Sequence, residues 1–367
     1  MTNILHLIDT TGPGGAETVF VNLLAGLDRR KFNHIVVLRG EGWVADQVRG
    51  VGIEPIIIDS KGSFNVRYVL TLVKLVRSHG VRLIHSHLLG SNVYGAIAAL
   101  LSRTPLVATF HGNVDVAARE RFLATKFRLI NSGASSIVCV SQQLMADLTA
   151  RGTLSSQKLR LIYNGVDADG FLHSGLTGLR EELGLAPEAR IILSIGNIRP
   201  AKGYGDLIKA AALLVRRDPS YHFVIVGHPK EPLASQLVEQ ARDLVVEANV
   251  HFLGFRENVG ELLSQADVFL LPSISEGFSI STVEAMMAGV PVLATRSGGP
   301  EEILENDVSG LLVPVANPQA IMDSVLRLQD PCLSNQLVKA AREAAAQRFS
   351  LGSMLSSYCS VYQELLV

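Results

Sequence analysis

At 367 residues the chain exceeds one ordinary core and suits two domains of roughly 150 to 200 residues. Hydrophobic residues make up 48% of it, charged residues 18%, and the formal net charge is -1. That balance excludes a disordered chain and a globally basic nucleic-acid binder, so any anion-binding surface must be local.

The N-terminal MTNILHLIDT lacks the basic segment and long apolar run of a signal peptide and reads as a first strand. No apolar run approaches the ~20 residues of a membrane-spanning helix, so any membrane contact is expected to be peripheral. Cys139, Cys332 and Cys359 are odd in number and free of CxxC spacing. They argue against a disulfide framework or a zinc site and point to a reducing cytoplasm.

Short apolar runs alternate with amphipathic segments, the pattern of parallel sheets with helical crossovers. Strands are expected at 4–8, 34–38, 55–58, 83–85, 106–109, 136–140 and 159–162, then at 191–195, 222–226, 250–253, 268–271 and 291–294. The fold class is therefore α/β, with two doubly wound parallel-sheet domains.

Ligands of such sheets bind beyond the carboxyl ends of the strands. After the first strand, GPGGAE at 12–17 offers close backbone approach at Gly14 and Gly15 and amide donors to a phosphate, although a purely structural turn fits as well. His85 and His87 in IHSHL are expected on opposite faces of their strand, which argues against a shared metal, and one of them is a candidate for lining an acceptor pocket. His111 closes the strand LVATF, ahead of Gly112.

Residues 117–130 mix Arg119, Arg121, Lys126 and Arg128 with Phe122, Leu123, Phe127, Leu129 and Ile130. They offer a peripheral contact with anionic lipid, but the basic residues split between opposite sides. A solvated helix packing on its sheet is the preferred reading. The domain boundary is expected after Asn164-Gly165-Val166-Asp167, giving domains at 1–166 and 167–349 and a final helix at 350–367. Asp167-Ala168-Asp169 has a D-x-D spacing seen at manganese sites, and no metal is expected there.

The strand opening the second domain runs into GNIRPAKG, where Arg199 and Lys202 can neutralise a diphosphate and stabilise charge developing on a leaving group. In SISEGFSISTVEAMMAG at 273–289, Glu276 precedes a glycine turn and Glu284 lies in the helix that follows. With a helix start near Ser279, Glu284 falls about 7 Å along the axis. The helix start between the acids offers unpaired N–H groups to a phosphate. That combination suits a nucleotide diphosphate sugar, one acid receiving sugar hydroxyls and the other ribose hydroxyls. Glu301 and Glu302 after Gly298-Gly299-Pro300 are placed to cap a helix.

The ordered stretch ADVFLLPS-ISEGF-SISTVEAMMAGVPVLAT-RSGGPEEI resembles the signature of the retaining glycosyltransferases of family 4, with the GT-B fold of two Rossmann-like domains facing a central cleft. The resemblance is strongest over 191–313 and weaker before Asn164. It implies a hexose-type transfer with retention, in polysaccharide or lipid-linked glycan synthesis, with no cofactor or metal and no nucleic-acid partner.

The resemblance also implies site roles. Glu276 contacts the transferred sugar, Glu284 the ribose, and the Gly277-Phe278-Ser279 backbone the sugar and distal phosphate. Gly196, Asn197, Arg199 and Lys202 match a phosphate clamp, with Asn197 where many members carry arginine. TFHG matches the family's TxHG element and implies that His111 meets the donor sugar. Residues 252–256, with Phe255, fall in the base region. Glu276, His111, Arg199 and Lys202 are thereby the catalytic candidates. Two rivals remain: a nucleotide-sugar epimerase, which needs no acceptor, and a non-catalytic sugar-nucleotide-binding protein.

Overall fold

The computed structural model describes residues 1–59, 64–112, 120–172 and 178–366. The chain forms two compact units, one of Met1–Gly165 with Leu351–Val367 and one of Val166–Ser350. Val166 pairs with Ser350 in an isolated parallel bridge, and its N–H donates to the Phe349 carbonyl at 2.9 Å, so the two chain crossings lie side by side.

The first unit holds β1 Thr2–Ile8, β2 Phe32–Leu38, β3 Ile56–Ile57, β4 Leu83–His87, β5 Leu106–Phe110, β6 Ser136–Cys139 and β7 Leu159–Leu161. Their order is β3-β2-β1-β4-β5-β6-β7, every pairing parallel. All five residues of β4 and all five of β5 are buried, as expected when helices cover both faces of a sheet. The final helix, Leu351–Leu365, packs against helix Gly15–Gly26 of this unit and buries Met354, Tyr358, Val361 and Tyr362.

The second unit holds β8 Arg190–Ile195, β9 Tyr221–Val226, β10 Val250–Gly254, β11 Val268–Leu271, β12 Val292–Thr295 and β13 Leu311–Val313. The order β10-β9-β8-β11-β12-β13 is again parallel throughout. β13 was not expected from the sequence. Its three residues lie between Gly310 and Pro314 and read locally as loop; they become a strand by pairing with Leu293, Ala294 and Thr295.

Strand order reverses between β1 and β4 in one unit and between β8 and β11 in the other. At such points neighbouring connections leave in opposite directions and open a crevice at the strands' carboxyl ends. Among the described residues, no helix is long and apolar enough to cross a membrane.

Candidate functional site

In the second unit the crevice is walled by the loops after β8 and β11. After β8, Arg199 opens a 3-10 turn, Pro200–Lys202, which ends at Gly203 with φ 66° before helix Tyr204–Val215. A side chain at Gly203 would also collide with the Pro272 carbonyl, so the turn needs glycine on both counts. The two loops are stitched together: the Ile274 N–H donates to the Ala201 carbonyl at 2.7 Å.

This stitching sets Lys202 against Glu276. Lys202 Nζ lies 2.8 Å from Glu276 Oε2, and Ser273 Oγ donates to the same oxygen at 2.9 Å. The two side chains are only 20% and 14% exposed, so their attraction is less screened than at an open surface. Glu276 is fixed from behind too. Its N–H donates to the Ser297 carbonyl at 2.9 Å and its carbonyl accepts the Gly299 N–H at 3.0 Å. Lys202 retains two further donors for a ligand.

Glu276 leads into helix Ile280–Ala288, whose N-cap Ser279 accepts the Thr282 N–H at 3.3 Å through its hydroxyl. The first N–H groups of this helix have no carbonyl within it to receive them. Phe278 is buried with its ring 5.6 Å from that of Phe349, so at this position the backbone is what a ligand can meet. Glu284, in the second turn, receives no hydrogen bond from the described residues, and burial pushes its carboxyl up to about 7. A half-buried acid without an internal donor suits ligand hydroxyls.

Other expected residues play narrower parts. Arg199 is exposed and forms no hydrogen bond or ion pair among the described residues. Asn197 Oδ1 accepts the His228 N–H at 3.0 Å and so braces the β8 and β9 loops. Gly196 lies beneath Lys202 and Tyr204, and its carbonyl accepts the Tyr204 hydroxyl at 2.6 Å. Phe255 stacks on His228 with centroids 4.7 Å apart and planes 8° from parallel. Nearby, an open cavity of about 670 Å³ is lined by Ile198, Gly227, Phe252 and Gly254 and by Ser235 and Glu239 of helix Leu233–Asp243. The Gly298 N–H donates to Glu301 Oε2 at 3.0 Å, the expected cap.

Sequence reading did not single out Ser273, Tyr204 or His228. Ser273 is three residues from Glu276, a spacing that could have drawn attention to it, whereas Tyr204 and His228 act through backbone contacts that leave no local pattern.

Gly14 and Gly15 begin helix Gly15–Gly26 of the first unit, after β1. The Glu17 carboxylate lies 2.5 Å from where a side chain on Gly14 would begin. This helix start therefore carries its own negative charge, which weakens the reading of its amides as phosphate donors. His111 follows β5; its Nε2 shares a hydrogen bond of 2.9 Å with His87 Nδ1, and burial pulls its pKa down to about 3. It is a neutral imidazole near pH 7.

The expectation that His85 and His87 point oppositely is corrected. Residues two apart in a strand share a face. Their rings are 4.1 Å apart, both fully buried, and burial lowers the pKa of each. His85 meets the Tyr362 hydroxyl at 2.6 Å and the Thr109 hydroxyl at 2.9 Å, and His6 on β1 meets His34 on β2 at 3.0 Å. Among the described residues no group of three His, Cys, Asp or Glu could hold a metal ion.

Within 117–130, helix Leu123–Gly133 buries Phe127 and Ile130, Lys126 pairs with Glu120, and Arg121 sits over the Phe122 ring. One face of this helix packs on its unit; Arg119 lies outside the described residues, as does the side chain of Asp169.

Two family models match the chain: "Glycosyl transferases group 1" over residues 177–344 and "Glycosyltransferase Family 4" over residues 13–169. The chain is 28% identical to the N-acetyl-alpha-D-glucosaminyl L-malate synthase of Bacillus anthracis over 72% of its own length and 69% of the relative's. It is 22% identical to the UDP-Gal:alpha-D-GlcNAc-diphosphoundecaprenol alpha-1,3-galactosyltransferase of Escherichia coli over 96% and 94%. The crystal structure of Anabaena HepE in complex with UDP and glucose superposes with a TM-score of 0.88 at 26% identity, covering 99% of this chain and 100% of that one.

Proposed function

The chain belongs to the glycosyltransferases of group 1 and family 4, with the GT-B fold, and from that premise we propose that it moves a hexose-type sugar from a nucleotide diphosphate donor to an acceptor hydroxyl with retention and without a metal. The observation that carries this reading is the Lys202–Glu276 pair beside an unpaired Glu284 at the second unit's crevice. Cations and a helix start there suit the anionic diphosphate of a nucleotide diphosphate sugar, and the two acids suit the hydroxyls of its neutral sugar and ribose.

In this reading Lys202, Arg199 and the N–H groups at the Ser279 helix start stabilise the diphosphate as its bond to the anomeric carbon breaks. Glu276 accepts hydrogen bonds from sugar hydroxyls and Glu284 from the ribose. Neutral His111 orients the sugar by hydrogen bonding. The acceptor oxygen bonds to the anomeric carbon on the face the diphosphate leaves, and the acceptor proton passes to a diphosphate oxygen. The acceptor is a glycan or lipid-linked glycan, reached by a chain that meets the membrane peripherally. UDP-glucose is the first donor to test, because HepE was solved with UDP and glucose.

Thermal shift against UDP-, GDP-, ADP- and dTDP-sugars in EDTA, followed by nucleotide diphosphate release and NMR of the product's anomeric proton, tests each part. Selective stabilisation, release and a retained configuration are expected. An altered nucleotide sugar without acceptor would instead favour an epimerase, and an inverted product would remove retention.

A further inference from the structure

In the transferase reading above His111 orients the donor sugar, and its ring is held by a second histidine. β4 pairs with β5 in a register that sets His87 opposite Thr109, so His111, two residues further on, follows β5 on the same side. The two rings lie 5.2 Å apart and 24° from parallel, with His87 Nδ1 2.9 Å from His111 Nε2.

A hydrogen bond between two imidazole nitrogens holds one proton, so one ring donates and the other accepts. Burial lowers the pKa of both histidines, and near pH 7 each ring carries a single N–H. Their tautomers are therefore coupled. If His87 donates from Nδ1, His111 accepts at Nε2 and carries its own proton on Nδ1. If His111 donates from Nε2, the proton of His87 has to sit on Nε2.

The surroundings of His87 separate the two arrangements. Its side chain is 0% exposed, and its Nε2 has no hydrogen-bond partner. The rings packed on it offer that nitrogen no acceptor. Phe20, 5.1 Å away between centroids, has no lone pair, and His85, at 4.1 Å, has one nitrogen engaged by Tyr362 and the other by Thr109. A proton on Nε2 would be a buried N–H without an acceptor, the rarer of the two defects; a lone pair there lacks only a donor.

We propose that His87 is a positioning residue: it donates from Nδ1 to His111 Nε2 and so fixes His111 as the tautomer that offers an Nδ1–H to an oxygen of the donor sugar. Which nitrogen of a histidine carries the proton is set by the hydrogen bond that the other nitrogen makes. The proposal rests on the transferase reading and adds to it the direction of the His111 contact and the residue that sets it.

The test is long-range proton–nitrogen NMR at pH 7.5 on the full chain labelled with nitrogen-15 histidine. In wild-type protein both His87 and His111 should carry the proton on Nδ1, with scalar coupling across the bond from His87 Nδ1 to His111 Nε2. A proton on Nε2 of either ring overturns the proposal without any variant.

His87→Phe keeps a ring in the layer and removes the donor. His111 should then populate both tautomers, and release of UDP from UDP-glucose should slow about tenfold, the order of one hydrogen bond, while the thermal shift given by UDP stays. In a His111→Phe background the same change should slow release less than about twofold, because His87 acts through His111. A tenfold loss that persists in that background marks a structural role and overturns the proposal, as does an unchanged rate in the single variant. Absence of turnover with any nucleotide sugar would sink the transferase reading instead, and the wild-type spectrum would still decide the tautomer.

Discussion

The two crevices occupy the same topological position in two parallel sheets and present opposite chemistry. In the first unit the helix start after β1 is answered by the chain's own Glu17, and the surrounding histidines are neutral and buried. In the second unit the β8 loop brings two cations, and the helix after β11 begins with a serine cap in place of an internal acid in its first turn. Topology locates a crevice; the residue types on two loops decide the charge and polarity it presents.

Acid should break the comparison most strongly. Burial lowers the pKa of His6, His34, His85, His87 and His111, all in the first unit. Below pH 6.5 the unfolded chain binds protons that the folded unit refuses. Their contribution is therefore present above that pH and lost as pH falls, by about 1.4 kcal/mol per pH unit for each histidine. Asp9, just after β1, opposes this with one group, because burial pushes its carboxyl up to about 6. In the second unit His222 and His251 are also lowered, but Glu284 runs the other way. Hydrogen exchange corrected for intrinsic rates should show β1, β4 and β5 losing protection between pH 7.5 and 5 well before β8 and β11. Equal loss in both units would refute the contrast.

Lys202→Ala tests the cationic crevice. Removing a group that stabilises a developing anion should lower kcat on the order of 10²–10³-fold, read as nucleotide diphosphate release. Wild-type turnover in this variant would remove Lys202 from the mechanism. Glu284→Gln should raise KM for the donor about tenfold, since a hydrogen bond to a charged group is worth about 1.5–3 kcal/mol. The same change should stabilise the free protein at pH 8. Because the folded pKa of Glu284 is near 7, its ionisation destabilises the fold increasingly from pH 4.5 to 7, and glutamine removes that penalty. A variant that binds donor normally, or melts lower at pH 8, would contradict the assignment.

The smallest change is Tyr362→Phe, which strips one hydroxyl from the first unit and leaves His85 Nδ1 without its partner. A cost of about 1–3 kcal/mol is expected, measured by chemical denaturation, with the UDP-glucose thermal shift retained. Loss of donor binding would show the second unit depending on this contact.

Much of the architecture was legible because parallel strands buried on both faces write themselves as apolar runs, and twelve of them stood out in the chain. The residues of the second unit's crevice stood out as motifs: GNIRPAKG follows β8 and SISEGFSISTVE follows β11, bringing cations, acids and a capping serine in two short stretches. The short β13 escaped because nothing local separates a three-residue strand from a loop.

What the chain alone determined is the alternation of elements and the residue types at each strand end, since both follow from neighbours in sequence. The tertiary structure decided which of those ends meet. Lys202 and Glu276 stand 74 residues apart and pair only because β8 and β11 are adjacent in the sheet. The histidines of β1, β2 and β4 share one buried layer only because parallel register sets His6 beside His85. The Ser91 N–H reaches the Asp9 carboxylate across the same β1–β4 junction. Strand order depends on how whole helices pack over the sheet, and no short window of sequence contains it.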